Sequence, residues 1–370
     1  MSQSSGVAPP LQGIQVVDFS HTLPGPYCTQ LLADLGARVV KIERPGGGDY
    51  LRSLMPAVFA HYNRGKKSVS LDLKDPDDRG RALELIEKAD VVVEGFRPGV
   101  MARFGLDAAT IRQERPDIIY CSISGWGQEG ELRDAPGHDL NYLGAAGALH
   151  DPVSSSVGAQ PTLLVADLAS GSLAAIAITG AIIGRQRTGV GATIDLSMAD
   201  IALTWAAASH VSGVLNPRSG SESSPAHGIF LTKDGQSVTL GTIEDHFWHR
   251  FVDIADEPRL RDSRFETHQD RNVAYDELRD LIQEVIGTRT ADDWISAAEA
   301  NNVPIFIVST FADAIDARHF LDRGIVRRSG DSITSAFPAL WDGTLLSAGD
   351  EAPELDEHAQ TAFSQEEVAG

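Results

Sequence analysis

Cysteine is nearly absent: the 370 residues hold two, Cys28 and Cys121, both in apolar surroundings and neither at a metal-ligand spacing. That excludes a disulfide framework and a cysteine-based zinc site. Basic residues are also few, 31 against 52 acidic ones, for a net charge of −21. Such a balance excludes a general nucleic-acid or anionic-membrane surface, and it makes any local cluster of Lys and Arg more telling. Long uninterrupted apolar runs are missing. The strongest candidate, residues 163–183, is broken by Asp167 and rich in Gly, Ser and Ala, so no membrane span is expected. Residues 1–10 have neither a basic start nor an apolar stretch, and they read as a short disordered tail of a cytoplasmic protein. No GxGxxG follows the first apolar strand and no GxxxxGK(S/T) occurs, which leaves dinucleotide and P-loop binding without support.

What the chain does have is alternation. With 42% hydrophobic residues it can bury a sizeable core. Val16-Val17-Asp18-Phe19, Val39 to Glu43, Ser68 to Leu73, Val91 to Glu94 and Ile118 to Ser122 are short, β-branched strands of the kind buried on both faces. Between them lie helical runs after Pro24-Gly25-Pro26 and from Asp75 to Lys88. The pattern predicts an α/β fold with a doubly wound sheet, whose ligands gather beyond the carboxyl ends of the strands. Helical sequence follows over 171–183 and 195–209, with a turn at 185–191 and a strand at 192–196 between them. Asn, Pro, Ser and Gly then cluster at 215–226, which reads as a linker. A hairpin centred on Asp234-Gly235 opens a second module, with helices near 245–255, 272–287 and 290–300 and a strand at 303–308. The expected layout is a large domain over 11–214, the linker, a small domain over 227–325, and a segment from 326 to 370 returning to the large domain. The acidic end from Ala348 on is expected to fray.

Two groups carry chemistry. His138, in Gly137-His138-Asp139-Leu140-Asn141-Tyr142, and Asp167, before a small-residue helical run, can share proton transfer. Lys41, Arg44, Arg64, Lys66, Lys67, Arg97 and Arg103 fall just after predicted strands or in the loops joining them, and on so acidic a chain they suggest an anion site at the sheet edge. Of the other histidines, His21 and His61 lie in loops of that edge.

An ordered series of segments resembles the family III CoA-transferases over residues 11–345. It runs from Leu11-Gln12-Gly13-Ile14 and Val17-Asp18-Phe19 through Pro24-Gly25-Pro26, Leu35 to Pro45 and Asn63-Arg64-Gly65-Lys66-Lys67-Ser68. Leu71-Asp72-Leu73-Lys74, Glu94-Gly95-Phe96-Arg97-Pro98-Gly99 and Ser124-Gly125-Trp126-Gly127 continue it. Within the series, Gly137 to Tyr142 looks like the α-methylacyl-CoA racemase branch. Members that transfer CoA usually lack a histidine there, yet keep the carboxylate matching Asp167.

The resemblance implies a Rossmann-like large domain plus a smaller α+β domain, in two chains interlocked as a homodimer with the active site at the subunit interface. It implies that Arg44, Leu71, Asp72, Leu73, Arg97 and Arg103 hold the CoA nucleotide and phosphates, and that Gly137, Asp139 and Tyr142 line the thioester end. His138 and Asp167 would be the two bases, with Glu244, in Gly241-Thr242-Ile243-Glu244, supporting the histidine. Trp126 is either a neighbour of the pantetheine arm or a core aromatic. No metal or redox cofactor is implied, since CoA is part of the substrate.

The expected reaction is epimerisation of 2-methyl-branched acyl-CoA thioesters through an enolate, and CoA transfer with Asp167 as nucleophile is the alternative. Inversion next to a thioester carbonyl needs one acid-base group on each face and a donor for the enolate oxygen, expected from a backbone N–H at the helix start near Asp167. Some features lie nearer general transferase members: the stretch 221–228, the small domain, and a content of four methionines, too few for a Met-rich acyl surface.

Overall fold

The computed structural model describes residues 8–150, 158, 160–215, 224–329, 332–349 and 351–363. The expected disordered tail (1–10) lies mostly outside the described residues, as does most of the expected linker (215–226), of which only Leu215 and residues 224–226 are described. The described residues of 1–149, 159–205 and 317–370 form one compact unit, and those of 150–158 and 206–316 a second.

The first unit is built on six parallel strands: β1 (Gln15–Asp18), β2 (Arg38–Glu43), β3 (Lys67–Ser70), β4 (Val91–Glu94), β5 (Ile119–Ser124) and β6 (Thr193–Ser197). Their spatial order is β3-β2-β1-β4-β5-β6, the 3-2-1-4-5-6 order of a doubly wound sheet, with its switch point between β1 and β4. Successive strand residues point to opposite faces. Val16, Val39, Val91, Val93 and Cys121 pack on one side with the helices Pro24–Asp34 and Val165–Thr188. Val17, Val40, Val92 and Tyr120 pack on the other with the helix Pro76–Lys88. That last helix begins where expected because Asp75 caps it, its carboxylate accepting from the Asp77 and Asp78 N–H groups.

The helix expected over 171–183 is longer. It runs from Val165 to Thr188 and takes in the first part of the expected turn, ending at Gly189 with φ +73°. Arg185 in its last turn pairs with Asp90 at 2.8 Å and so ties this end to the sheet. Among the described residues this helix has the length and composition of a membrane span, but its small residues serve a close crossing. A Cβ at Gly171 would lie 2.7 Å from the Pro24 carbonyl oxygen.

The acidic end is not frayed through residue 363. The segment 351–363 runs beside the open edge of β3: His358 donates its N–H to Ser68 O at 2.9 Å, and Asp356 accepts the Ser70 N–H at 2.7 Å. Ala362 is buried in the core beneath. An exposed strand edge is an aggregation liability, and this segment covers it. Within the same unit the hairpin β10 (Val326–Ser329) with β11 (Ser332–Ser335) is held by His61, whose Nδ1 and Nε2 meet Ile333 O and Ser335 Oγ at 2.9 and 3.2 Å.

The second unit holds a small antiparallel sheet of β7 (His227–Leu231), β8 (Ser237–Gly241) and β9 (Ile305–Ile307). The β7–β8 turn contains the expected Asp234-Gly235, with Gly235 at φ +78°. The helices Asp245–Ala255, Tyr275–Ile286 and Ala291–Asn301 supply a core around Trp248, Phe251, Ile282 and Trp294.

Candidate active site

The residues following the carboxyl ends of β1, β2, β4 and β5 line two cavities, as the doubly wound order requires. One, of about 480 Å³, lies at the ends of β1 and β2 and is lined by Phe19, Ser20, Arg44, Asp49 and Tyr50 among others. The second, of about 330 Å³, lies at the ends of β4 and β5. Arg97, Ser124, Trp126, Arg133, Gly137, His138, Tyr142 and Asp167 are in its wall.

His138 and Asp167 therefore share one cavity, each at a helix start. His138 is the extended N-cap of the helix Asp139–Ala145, and its own N–H is accepted by Asn141 Oδ1 at 3.0 Å. Asn141, three residues on, thereby orients the histidine's backbone, at the spacing of a capping pair. Asp167 sits in the first turn of Val165–Thr188. Burial, and then the negative charge of Asp139, push its carboxyl up from the usual 3.8 to about 7.

Asp139 was expected to line the thioester end. Its side chain instead stands behind the cavity, buried, with Oδ1 accepting the Asp167 N–H at 3.1 Å. The same bond commits the backbone N–H of Asp167 itself, which leaves the expected enolate donor to the other N–H groups of that helix start. Ser124 Oγ and Trp126 Nε1 are buried with no protein partner among the described residues.

Tyr142 is buried and meets Trp126 edge-on, ring centroids 5.1 Å apart. Two glycines make room for it. A Cβ at Gly125 would come within 2.5 Å of Tyr142 Oη, and one at Gly137 within 2.6 Å of Cε1. Burial, then the Asp167 charge, raise the tyrosine's pKa above its ordinary value. Trp126, left open by the sequence, is half-buried in the cavity wall.

The expected anion cluster divides. Lys41, Arg64 and Lys66 are buried among protein groups, Lys41 in the wall of the larger cavity and the other two outside both cavities. Lys41 pairs with Asp49 at 2.9 Å, and Arg64 with Asp34 at 2.6 Å. Lys66 donates to Pro26 O, Thr29 Oγ1 and Asn63 Oδ1 at 2.9, 2.7 and 2.9 Å, and lies 3.3 Å from Asp18 Oδ2. The physical reason is the length of these side chains: Lys41 from within β2, and Arg64 and Lys66 from the turn between the helix Pro56–Asn63 and β3, reach carboxylates in the core. Arg44, Arg97 and Arg103 are exposed. Arg44 lines the larger cavity and Arg97 the smaller, while Arg103 lies on the short helix Val100–Arg103. Leu71, Asp72 and Leu73 follow β3, with Leu71 buried and Asp72 exposed. Glu244 belongs to the second unit, exposed at the N-cap of the helix Asp245–Ala255.

The family model CoA-transferase family III matches residues 11–359. The acetyl-CoA:oxalate CoA-transferase of Acetobacter aceti is 33% identical, over 87% of this chain and 86% of its own length. The alpha-methylacyl-CoA racemase of Homo sapiens is 30% identical, over 97% of this chain and 95% of its own. A crystal structure of the hypothetical protein Rv3272 from Mycobacterium tuberculosis superposes with a TM-score of 0.86 at 29% identity, covering 97% of this chain and 100% of that one.

Proposed function

The chain belongs to the family III CoA-transferases, and on that footing we propose that it epimerises 2-methyl-branched acyl-CoA thioesters by two-base proton transfer. The observation that carries the reading is the pairing of His138 and Asp167 in one cavity, with the carboxyl of Asp167 raised to about 7. A proton donor works best with a pKa near the operating pH. Neutral His138 removes the α-proton, and the C–H electron pair moves into a planar enolate. Protonated Asp167 returns a proton to the opposite face. In the reverse direction the two exchange roles, and the thioester bond stays intact throughout. Arg44 would meet the nucleotide end in the larger cavity and Arg97 the chain nearer the thioester. The reading includes a homodimer in which the Glu244 of one chain supports the His138 of the other. Exposed Ile176, Leu203 and Phe306 supply apolar surface for such an assembly.

CoA transfer between carboxylic acids, with Asp167 as nucleophile, is the second reading, favoured by relatives such as the acetyl-CoA:oxalate CoA-transferase. One incubation separates them. A single 2-methylacyl-CoA epimer in deuterated water, with no added acid, should exchange its α-proton and lose optical purity, and His138→Ala should abolish this. CoA moving to an added carboxylic acid without any exchange would refute the epimerase.

A further inference from the structure

Asp167 stands on the face of its helix that packs against the helix Pro24–Asp34. Ser170, Gly171, Ala174 and Ile178 continue that face at helical spacing, and all four are buried. The two helices lie against each other along it. At Gly171, one turn beyond Asp167, a Cβ would come 2.7 Å from Pro24 O, 2.8 Å from Tyr27 Cδ1 and 3.3 Å from Cys28 N. The first turn of the helix Pro24–Asp34 is therefore the seat on which the Asp167 turn rests. Pro24 and Gly25 share the wall of one cavity with Asp167 and His138.

That seat is held by buried charge. Lys66 Nζ donates to Pro26 O at 2.9 Å and to Thr29 Oγ1 at 2.7 Å, both within the helix, and Asp18 Oδ2 lies 3.3 Å away. Thr29 Oγ1 in turn donates to Asp18 Oδ2 at 2.5 Å. The Lys66 and Asp18 side chains are fully buried. Burial pulls the Lys66 ammonium from 10.5 down to about 8, a sign of what keeping it there costs. An apolar pair of similar volume is often as stable as a buried ion pair, so stability does not account for Lys66 and Asp18. Nor does contact with a ligand, because Lys66 lines neither cavity. What the pair does fix is geometry: a lysine with three donors dictates where Pro26 O and Thr29 lie.

We propose that Lys66 is a positioning residue for Asp167. With Asp18 it locks the first turn of the helix Pro24–Asp34, and that turn, through its crossing with Gly171, sets where the Asp167 carboxyl stands. The proposal rests on Asp167 being the working carboxyl of the reaction proposed above. Proton transfer needs the donor within hydrogen-bond reach of the reacting atom, and a misplacement of about 1 Å can cost about a hundredfold in rate.

The test replaces the pair at constant net charge, Asp18→Asn together with Lys66→Met. It follows the Asp167 carboxyl by carbon-13 NMR, beside kcat and KM for α-proton exchange. The raised Asp167 value has two causes, burial and Asp139, and neither Lys66 nor Asp18 is among them. A moved midpoint therefore reports a displaced carboxyl rather than a lost charge. In the double variant the midpoint should fall by about one pH unit as water reaches the carboxyl. The kcat should fall about tenfold to a hundredfold with KM within about twofold, while the melting temperature stays close to wild type. Gly171→Ala, which presses on the same crossing from the other helix, should show the same two changes. Thr29→Val, which removes one hydroxyl from the lock, should lower kcat by about threefold. A folded double variant that keeps the wild-type midpoint and kcat, or loses only melting temperature, would overturn the proposal. Should the double variant not fold, Thr29→Val and Gly171→Ala decide by the same two readouts. Wild-type protein that exchanges no α-proton defeats the epimerase reading alone, and the Asp167 midpoints still judge the positioning.

Discussion

Asp139→Asn isolates the electrostatic cause of the raised Asp167 carboxyl. The substitution is nearly isosteric, and an Asn Oδ1 can still accept the Asp167 N–H now bonded at 3.1 Å. Only the charge is lost. The rise of Asp167 from 3.8 to about 7 corresponds to about 4 kcal/mol in favour of its neutral form, at 1.36 kcal/mol per pH unit. Burial is the larger of the two causes, so removing the Asp139 charge should lower the carboxyl by at most about 1.5 pH units. A fall of one unit would cut the protonated fraction at pH 7 from about a half to about a tenth. Proton donation by Asp167 at that pH should then slow by about fivefold, whereas a nucleophilic carboxylate would gain at most about twofold. Carbon-13 NMR of the Asp carboxyl groups follows the titration, and exchange kinetics at pH 7 follow the consequence. An unchanged titration midpoint in a normally folded Asp139→Asn protein would refute the assigned cause.

Two other outcomes follow from the same geometry. Because Asp167 titrates at about 7 when folded and 3.8 when unfolded, the native state holds a proton the unfolded state has lost, and stability falls as pH rises through that window. Asp167→Asn should therefore abolish activity yet melt a few degrees above wild type at pH 8, with the gap closing toward pH 4; a gap independent of pH would contradict the burial argument. Gly137→Ala should cost about 1–3 kcal/mol, because its Cβ would lie 2.6 Å from Tyr142 Cε1. Paired with Tyr142→Phe it should cost nearly as much, while Tyr142→Ala should largely absorb it, as unfolding curves of the three single and two double variants would reveal.

Much of this molecule was legible without coordinates. Val16-Val17, Val39-Val40 and Val91-Val92-Val93 are apolar at every position because each strand has both faces covered, and that requirement is written residue by residue. Gly235 at the hairpin and Asp75 before its helix likewise act through their immediate neighbours. Asp167 and His138 stood out because proton transfer needs those side-chain types.

Other features depended on contacts between residues far apart in the chain. Lys41, Arg64 and Lys66 look like ligand-binding cations in sequence, and only packing turns them toward Asp49, Asp34 and Asp18. The end segment reads as frayed by composition, yet β3 leaves an edge whose Ser68 and Ser70 backbone groups it can pair with. Asp139 is an ordinary acidic residue until folding places it under Asp167, some thirty positions on. Sequence alone therefore determined the sheet and the family, and singled out His138 and Asp167 as candidates, because those rest on local periodicity and side-chain chemistry. The tertiary structure decided which charges are spent in the core and what raises the Asp167 carboxyl, because burial and the distance between charges arise only when remote segments meet.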